Sequence, residues 1–196
     1  MPKSEIQVVD CGSTKVDSIL QIVTEFGSTP TRVRMNEIER SQPADYDGII
    51  ISGSPILLTE ADYADTLKSL NFVRACYNPV LGICFGQQII GLSYGAKVFR
   101  GPECRVDEIV EVLEKGTLFE GLDNRLYLNE DHCEGITLSN EFILLARSQN
   151  YMVEAMKHRN KAMYGVQFHP EASGEIGKAI IHNFLKSCRN ASHRSD

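Results

Sequence analysis

The stretch 79–96, "PVLGICFGQQIIGLSYGA", constrains this chain more than any other. An apolar run stops at Cys84. Glycine stands two residues before it and two residues after it, and a helical pattern follows. A strand that passes into a helix through so short a junction must turn sharply, and side chains at Gly82 and Gly86 would clash there. Gly82-Ile83-Cys84-Phe85-Gly86 is the thiol form of the strand-to-helix nucleophile elbow. It sets the thiol at the carboxyl end of a buried strand and at the amino end of a helix. The helix dipole and unpaired N–H groups at that point favour thiolate and offer donors to a developing oxyanion. A buried, inert thiol is the commoner fate of a free cysteine, but paired glycines at such a junction favour the reactive alternative.

The surroundings of the elbow indicate a fold class. Residues 6–10, "IQVVD", read as a buried strand. Residues 15–27 read as a helix with Val16, Ile19, Leu20, Val23 and Phe26 on one face and Gly27 as its stop. Short strands are expected at 31–35 and 47–55, a helix over 61–77, a fourth strand at 79–83, and the elbow helix closing near Gly95. Strands alternating with helices of this length imply right-handed βαβ units and a parallel sheet. After about residue 97 the texture changes to short strand-like runs: "KVFR", "DEIVEV", "RLYLN", "FILLARS", "YMVEAMKH" and "KAMYGVQF". "KHRNKA" reads as a hairpin connection, and "EIGKAIIHNFLKSC" as a final helix. The expectation is an α/β fold. It has a central, mostly parallel sheet flanked by helices, with an antiparallel strand extension in the C-terminal half. One domain is expected over 1–190, with a flexible tail at 191–196.

Composition removes several function classes. The net charge of −6 comes without a basic block, which argues against nucleic acid as a ligand. No apolar run approaches the roughly 18 residues of a membrane span, and the N-terminus has no signal-peptide core, so a cytoplasmic location is expected. The six cysteines, at 11, 76, 84, 104, 133 and 188, form no C-x-x-C pair. Neither a disulfide framework nor a metal site is expected, and one cysteine in a special setting is a candidate nucleophile.

A thiol nucleophile needs a base, and the base needs an orienting group. "AMYGVQFHPEAS" offers both. Residues 162–168 read as a strand, His169 lies just past its end, and Pro170 forbids further ladder pairing. His169 and Glu171 are two apart, so on extended backbone they point the same way. The carboxylate can then hold the imidazole in the required tautomer. In "IISGSP", Gly53 follows a buried strand, where its N–H is suited to complete an oxyanion hole beside that of Phe85.

Together, "GICFGQQ" and "GVQFHPE" resemble the class I (triad) glutamine amidotransferase family, whose motifs are G-[IV]-C-x-G-x-Q and a late G-x-Q-[FY]-H-P-E. The order of motifs matches over nearly the whole chain. Within the family, "VEAMKHRNKAMYGVQFHPE" and "GQQIIGLSYGAKV" are most similar to the amidotransferase part of GMP synthase. Three departures stand out. Thr14 replaces a glutamine in the opening "VVDCGST", Ser54 replaces a glycine in the oxyanion stretch, and a Ser-His-x-Asp segment is only loosely present at 130–134.

The resemblance implies a flavodoxin-like class I fold and hydrolysis of L-glutamine to glutamate and ammonia. Cys84 would form a γ-glutamyl thioester, with His169 as base and then acid and Glu171 orienting it. Gly53 and Phe85 would supply oxyanion N–H groups, and Gln88, one helical turn beyond Cys84, would bind substrate. No cofactor is implied in this chain. It has no Ser-Gly-Gly-x-Asp-Ser motif, so ATP and Mg belong to a separate ATP-pyrophosphatase synthetase subunit that converts XMP to GMP. Alternatives are a stand-alone γ-glutamyl hydrolase, an amidotransferase for another acceptor such as one in the histidine pathway, and a non-catalytic regulatory homologue. The expected docking face comprises the loop at Gly53, residues 129–134 and the hairpin at 157–161. His158, in that hairpin, is expected to be exposed, and His182 to pack or lie at the surface. "CGSTK" lacks the spacing of a phosphate loop, and the other five cysteines read as core or surface thiols.

Overall fold

In the computed structural model, which describes residues 3–41 and 43–192, the chain opens with β1 (Glu5–Asp10), α1 (Val16–Glu25), β2 (Thr29–Arg34) and β3 (Gly48–Ile51). It continues through α2 (Ala64–Ser69), α3 (Phe72–Ala75), β4 (Val80–Ile83) and α4 (Phe85–Ser93). Then come β5 (Val98–Cys104), β6 (Asp107–Val112), β7 (Arg125–Asn129) and β8 (His132–Ile136). Last are β9 (Phe142–Arg147), β10 (Ala155–His158), β11 (Met163–Val166) and α5 (Gly174–Ser192).

Nine strands form one sheet in the order β2-β1-β3-β4-β11-β10-β9-β6-β7, and β5 pairs with β8 in a second sheet. The first five are parallel, and from β11 outward the pairing is antiparallel. The middle strands β3, "GIII", and β4, "VLGI", are buried at every position, as strands covered on both faces must be. Side-chain alternation divides the core in two. Ile6, Val8, Ile50 and Leu81 pack with the apolar faces of α1 and α5. Val9, Ile49, Ile51 and Val80 pack with Leu70, Val73, Ile89 and Ile90 on the opposite side. The helices thus hold both faces of the parallel half, leaving the carboxyl ends of its strands free to build a site. Among the described residues no helix is long and apolar enough to cross a membrane.

The expected single helix over 61–77 is broken into α2 and α3. Ser69 and Asn71 are weak helix formers, and Leu70 between them is fully buried, so tertiary packing decides the local path. Strand β8 was not anticipated. All five of its residues are buried, His132 and Glu134 included, so its polar letters conceal a core strand. His158 is buried rather than exposed, because its ring packs edge-on against Tyr94 and Phe142. Its Nδ1 accepts the N–H groups of Asn160 and Lys161 at 3.0 and 3.2 Å and so staples the β10–β11 turn. His182 stacks on Phe26 with centroids 4.2 Å apart.

The hairpin at 157–161 also stands elsewhere than expected. β11 runs parallel to β4 with Met163 opposite Val80 and Val166 opposite Ile83. The turn that precedes β11 therefore lies at the end of the sheet opposite Cys84, so it cannot share a face with Cys84 around the carboxyl ends of the strands. Of the expected tail, 191 and 192 continue α5, and 193–196 lie outside the described residues.

Candidate active site

Cys84 has φ +51° and ψ −106°, the one positive φ at a non-glycine residue among the described residues. Its N–H is held by the Val166 carbonyl at 2.7 Å, and its own carbonyl accepts from Gln88 N–H at 3.1 Å. The chain thereby leaves β4 and enters α4 with no intervening loop. Both flanking glycines are required. A Cβ on Gly82 would stand 2.5 Å from the Gly86 backbone, and one on Gly86 would stand 2.3 Å from the Ile51 carbonyl oxygen.

His169 follows β11 at the same sheet end. Its N–H donates to the Asn129 carbonyl at 2.8 Å. Ser173 Oγ closes the arrangement, donating to the His169 carbonyl at 2.7 Å and accepting Asn129 N–H at 2.9 Å. Nδ1 meets Glu171 Oε1 at 2.7 Å, and the imidazole interacts electrostatically with Cys84. Burial alone would push this imidazole down. Its hydrogen bonds and charge interactions with Cys84 and Glu171 outweigh burial and raise it to about 9. The ring is thereby held towards its charged form, with Nδ1–H on the carboxylate.

Gly53 lies against both groups. A Cβ there would meet His169 Cε1 at 3.1 Å and Cys84 Cβ at 3.7 Å. Ser52 fixes this segment, its hydroxyl donating to the Gly53 carbonyl at 2.9 Å and accepting Cys11 N–H at 3.0 Å. Ser54 Oγ accepts Ile56 N–H at 3.2 Å, so the serine in place of glycine makes a local turn contact. Phe85 is the first residue of α4 and is buried. Gln88 is also buried, and its Nε2 donates to the Glu134 carbonyl at 3.2 Å and to Gln167 Oε1 at 3.3 Å. These groups border a cavity of about 390 Å³ that also receives Thr14, Lys15, Arg105 and Asp131. Asp131 bridges Lys15 and Arg105 at 2.6 Å each.

Further residues at and near the site were given no catalytic role by the sequence reading. Gln167 points its Nε2 at Cys84 Sγ, 3.5 Å away, and its Oε1 receives Gln88. A glutamine between Val166 and Phe168 is a detectable signal, because a polar residue in a strand with apolar neighbours is either solvent-facing or functional. Glu134 accepts Leu58 N–H at 2.9 Å and Thr59 N–H at 2.7 Å, pinning the loop that follows Gly53. Glu130, His132 and Glu154 form a buried group whose ligand atoms all lie within 4.8 Å of one another. Burial is the main reason that Glu130 and Glu154 are each raised to about 8 and that His132 is lowered. For Glu154 the neighbouring Glu130 charge adds to the rise, against a smaller pull from the Ser148 hydroxyl.

The family description "Glutamine amidotransferase class-I" matches residues 7–188. The chain belongs to the class-I glutamine amidotransferase family. A member from Pyrococcus abyssi, named as a subunit of glutamine-hydrolysing GMP synthase, is 35% identical over 190 residues, covering 93% of this chain and 98% of the relative. A protein of the same name from Methanosarcina barkeri is 38% identical over 162 residues, 81% of each chain. A crystal structure from Thermoplasma acidophilum, whose description proposes a GMP synthase subunit, superposes with a TM-score of 0.91 at 29% identity. It covers 100% of this chain and 98% of that one. A glutamine amidotransferase from Thermotoga maritima shares the fold with a TM-score of 0.74 at 17% identity, covering 100% of this chain and 86% of that one.

Proposed function

We propose that this amidotransferase hydrolyses L-glutamine at Cys84 and delivers the ammonia to a separate synthetase subunit that converts XMP to GMP. One observation carries the chemistry: a thiol held at φ +51° on a helix amino end, beside an imidazole that is itself bound to a buried carboxylate at 2.7 Å. The Cys84 thiolate attacks the side-chain amide carbon of glutamine. The resulting oxyanion takes N–H bonds from Gly53 and Phe85. His169, as imidazolium, gives its Nε2 proton to the leaving nitrogen, so ammonia departs and a γ-glutamyl thioester remains. Water then loses a proton to His169 as it adds to the thioester. Collapse expels the thiolate and releases glutamate.

Glu171 holds the imidazole by Nδ1 and stabilises its charge. The Gln88 amide nitrogen is occupied by protein acceptors, so its oxygen is the atom left for a substrate donor. ATP and Mg²⁺ belong to the partner. The choice of XMP as acceptor rests on the names of the relatives, which describe them as one subunit of GMP synthase. Cytoplasmic location is supported by six free cysteines. Glutaminase assays of the isolated chain and of the chain mixed with its synthetase test the reading. Glutamate release that depends on Cys84 supports it, and release that survives Cys84→Ala excludes it.

A further inference from the structure

Glu130 and His132 flank the start of β8, and Glu154 stands just before β10. All three are buried, Glu154 completely. His132 Nδ1 lies 2.9 Å from the Glu134 backbone carbonyl. A carbonyl only accepts, so Nδ1 carries the hydrogen, and in the neutral ring Nε2 is a bare lone pair. That lone pair faces Glu130 Oε2 at 2.9 Å. Among the described residues, none stands in hydrogen-bond geometry to Glu130 Oε1 or to either oxygen of the Glu154 carboxyl. Three ligating groups therefore converge on one buried point, and when no cation fills it protons on the carboxyls must act as the donors. A proton between Nε2 and Glu130 and another on Glu154 hold the empty group together. A dication satisfies all three, and with two carboxylates and a neutral imidazole the set is neutral.

We propose that Glu130, His132 and Glu154 bind one divalent transition ion of the zinc class. One nitrogen and two carboxylate oxygens are a zinc-type donor set, and the His132–Glu134 hydrogen bond is the kind of contact that fixes a ligating imidazole. Ligand atoms around tetrahedral zinc stand roughly 3.4 Å apart, so side chains within 4.8 Å need to close by at most about 1.4 Å. The Tyr151 ring lies 4.5 Å from His132 and covers one side. His132 also borders the active-site cavity, which gives the ion an entrance and a water for its fourth position. The ion would tie β8 to the segment entering β10. The Glu154 backbone carbonyl there accepts Gln167 N–H at 2.8 Å, two residues from His169. Cysteine spacing is blind to such a site because none of its ligands is a thiol.

The test uses Cys84→Ala protein, to remove the reactive thiol as a competing ligand, stripped with chelator and titrated with Zn²⁺ by calorimetry and Co²⁺ by absorption. The expected result is one ion per chain with Kd of about 10 µM or tighter, a higher melting temperature, and a cobalt spectrum without thiolate charge transfer. Glu154→Gln and Glu130→Gln, each added to Cys84→Ala, should weaken binding by about tenfold or more. Two isosteric variants are used so that misfolding of one leaves the other decisive. Absence of binding, unchanged affinity in a folded glutamine variant, or a thiolate–cobalt band would overturn the proposal.

Discussion

Cys84 combines strain and chemistry in one residue. Its backbone lies where L side chains rarely sit, at a cost of about 1–3 kcal/mol. Alanine keeps that strain and removes the sulfur, while glycine removes both. Cys84→Ala should retain its melting temperature and lose glutaminase activity by roughly 10⁴-fold or more. Cys84→Gly should be equally inactive but more stable by about 1 kcal/mol, read from denaturant titration. At His169, imidazolium is the donor to the leaving group and is held to about 9. kcat/KM should therefore fall as pH rises through about 9. Glu171→Gln removes a charge that raises this value, so it should move the basic limb to lower pH while costing less activity than His169→Ala, for which about 10²–10⁴-fold is expected. Cys84, His169 and Glu171 were legible because glycine spacing and a proline after a strand are local signals. Gln167 stood in the same motif as His169, but its contact with Cys84 is tertiary and nothing in the local sequence names that partner.

At the scale of elements, the elbow depends on β3, β4 and α4 approaching closely. A Cβ on Gly82 meets backbone atoms of Gly86, which cannot rotate away, whereas a Cβ on Gly95, at φ +83°, would have nothing within 4 Å. Gly82→Ala should thus destabilise by more than the about 1–3 kcal/mol typical of overpacking. Gly95→Ala should cost only about 1–2 kcal/mol from its backbone conformation. Melting curves of the two variants rank the effects, and a milder Gly82→Ala would contradict the close approach. The parallel strands were readable because residues buried on both faces are uniformly apolar. β8 was not, because the Glu134 carboxylate is satisfied by tertiary partners, Leu58 and Thr59, of which the local pattern contains no trace. The break between α2 and α3 was likewise set by the burial of Leu70 rather than by helical periodicity.

Over the whole molecule, the sheet sorts the surface into an end that carries Cys84 and His169 and an end that carries the β10–β11 turn. Sequence order placed the hairpin at 157–161 beside His169, but the chain crosses the sheet between them. Lys161→Glu should accordingly leave both glutaminase activity and coupling to a synthetase unchanged, measured as the ratio of glutamine-dependent to ammonia-dependent GMP formation. The decisive measurement follows the nitrogen itself. The chain is mixed with its synthetase, ATP, Mg²⁺, XMP and glutamine labelled with ¹⁵N in the side-chain amide, and GMP is weighed by mass spectrometry. Labelled GMP should form with the unaltered chain, vanish with Cys84→Ala, and be replaced by unlabelled GMP at full rate when ammonium is supplied to that variant. Label reaching GMP through Cys84→Ala, or no label through the unaltered chain while ammonium is used, would contradict the proposal.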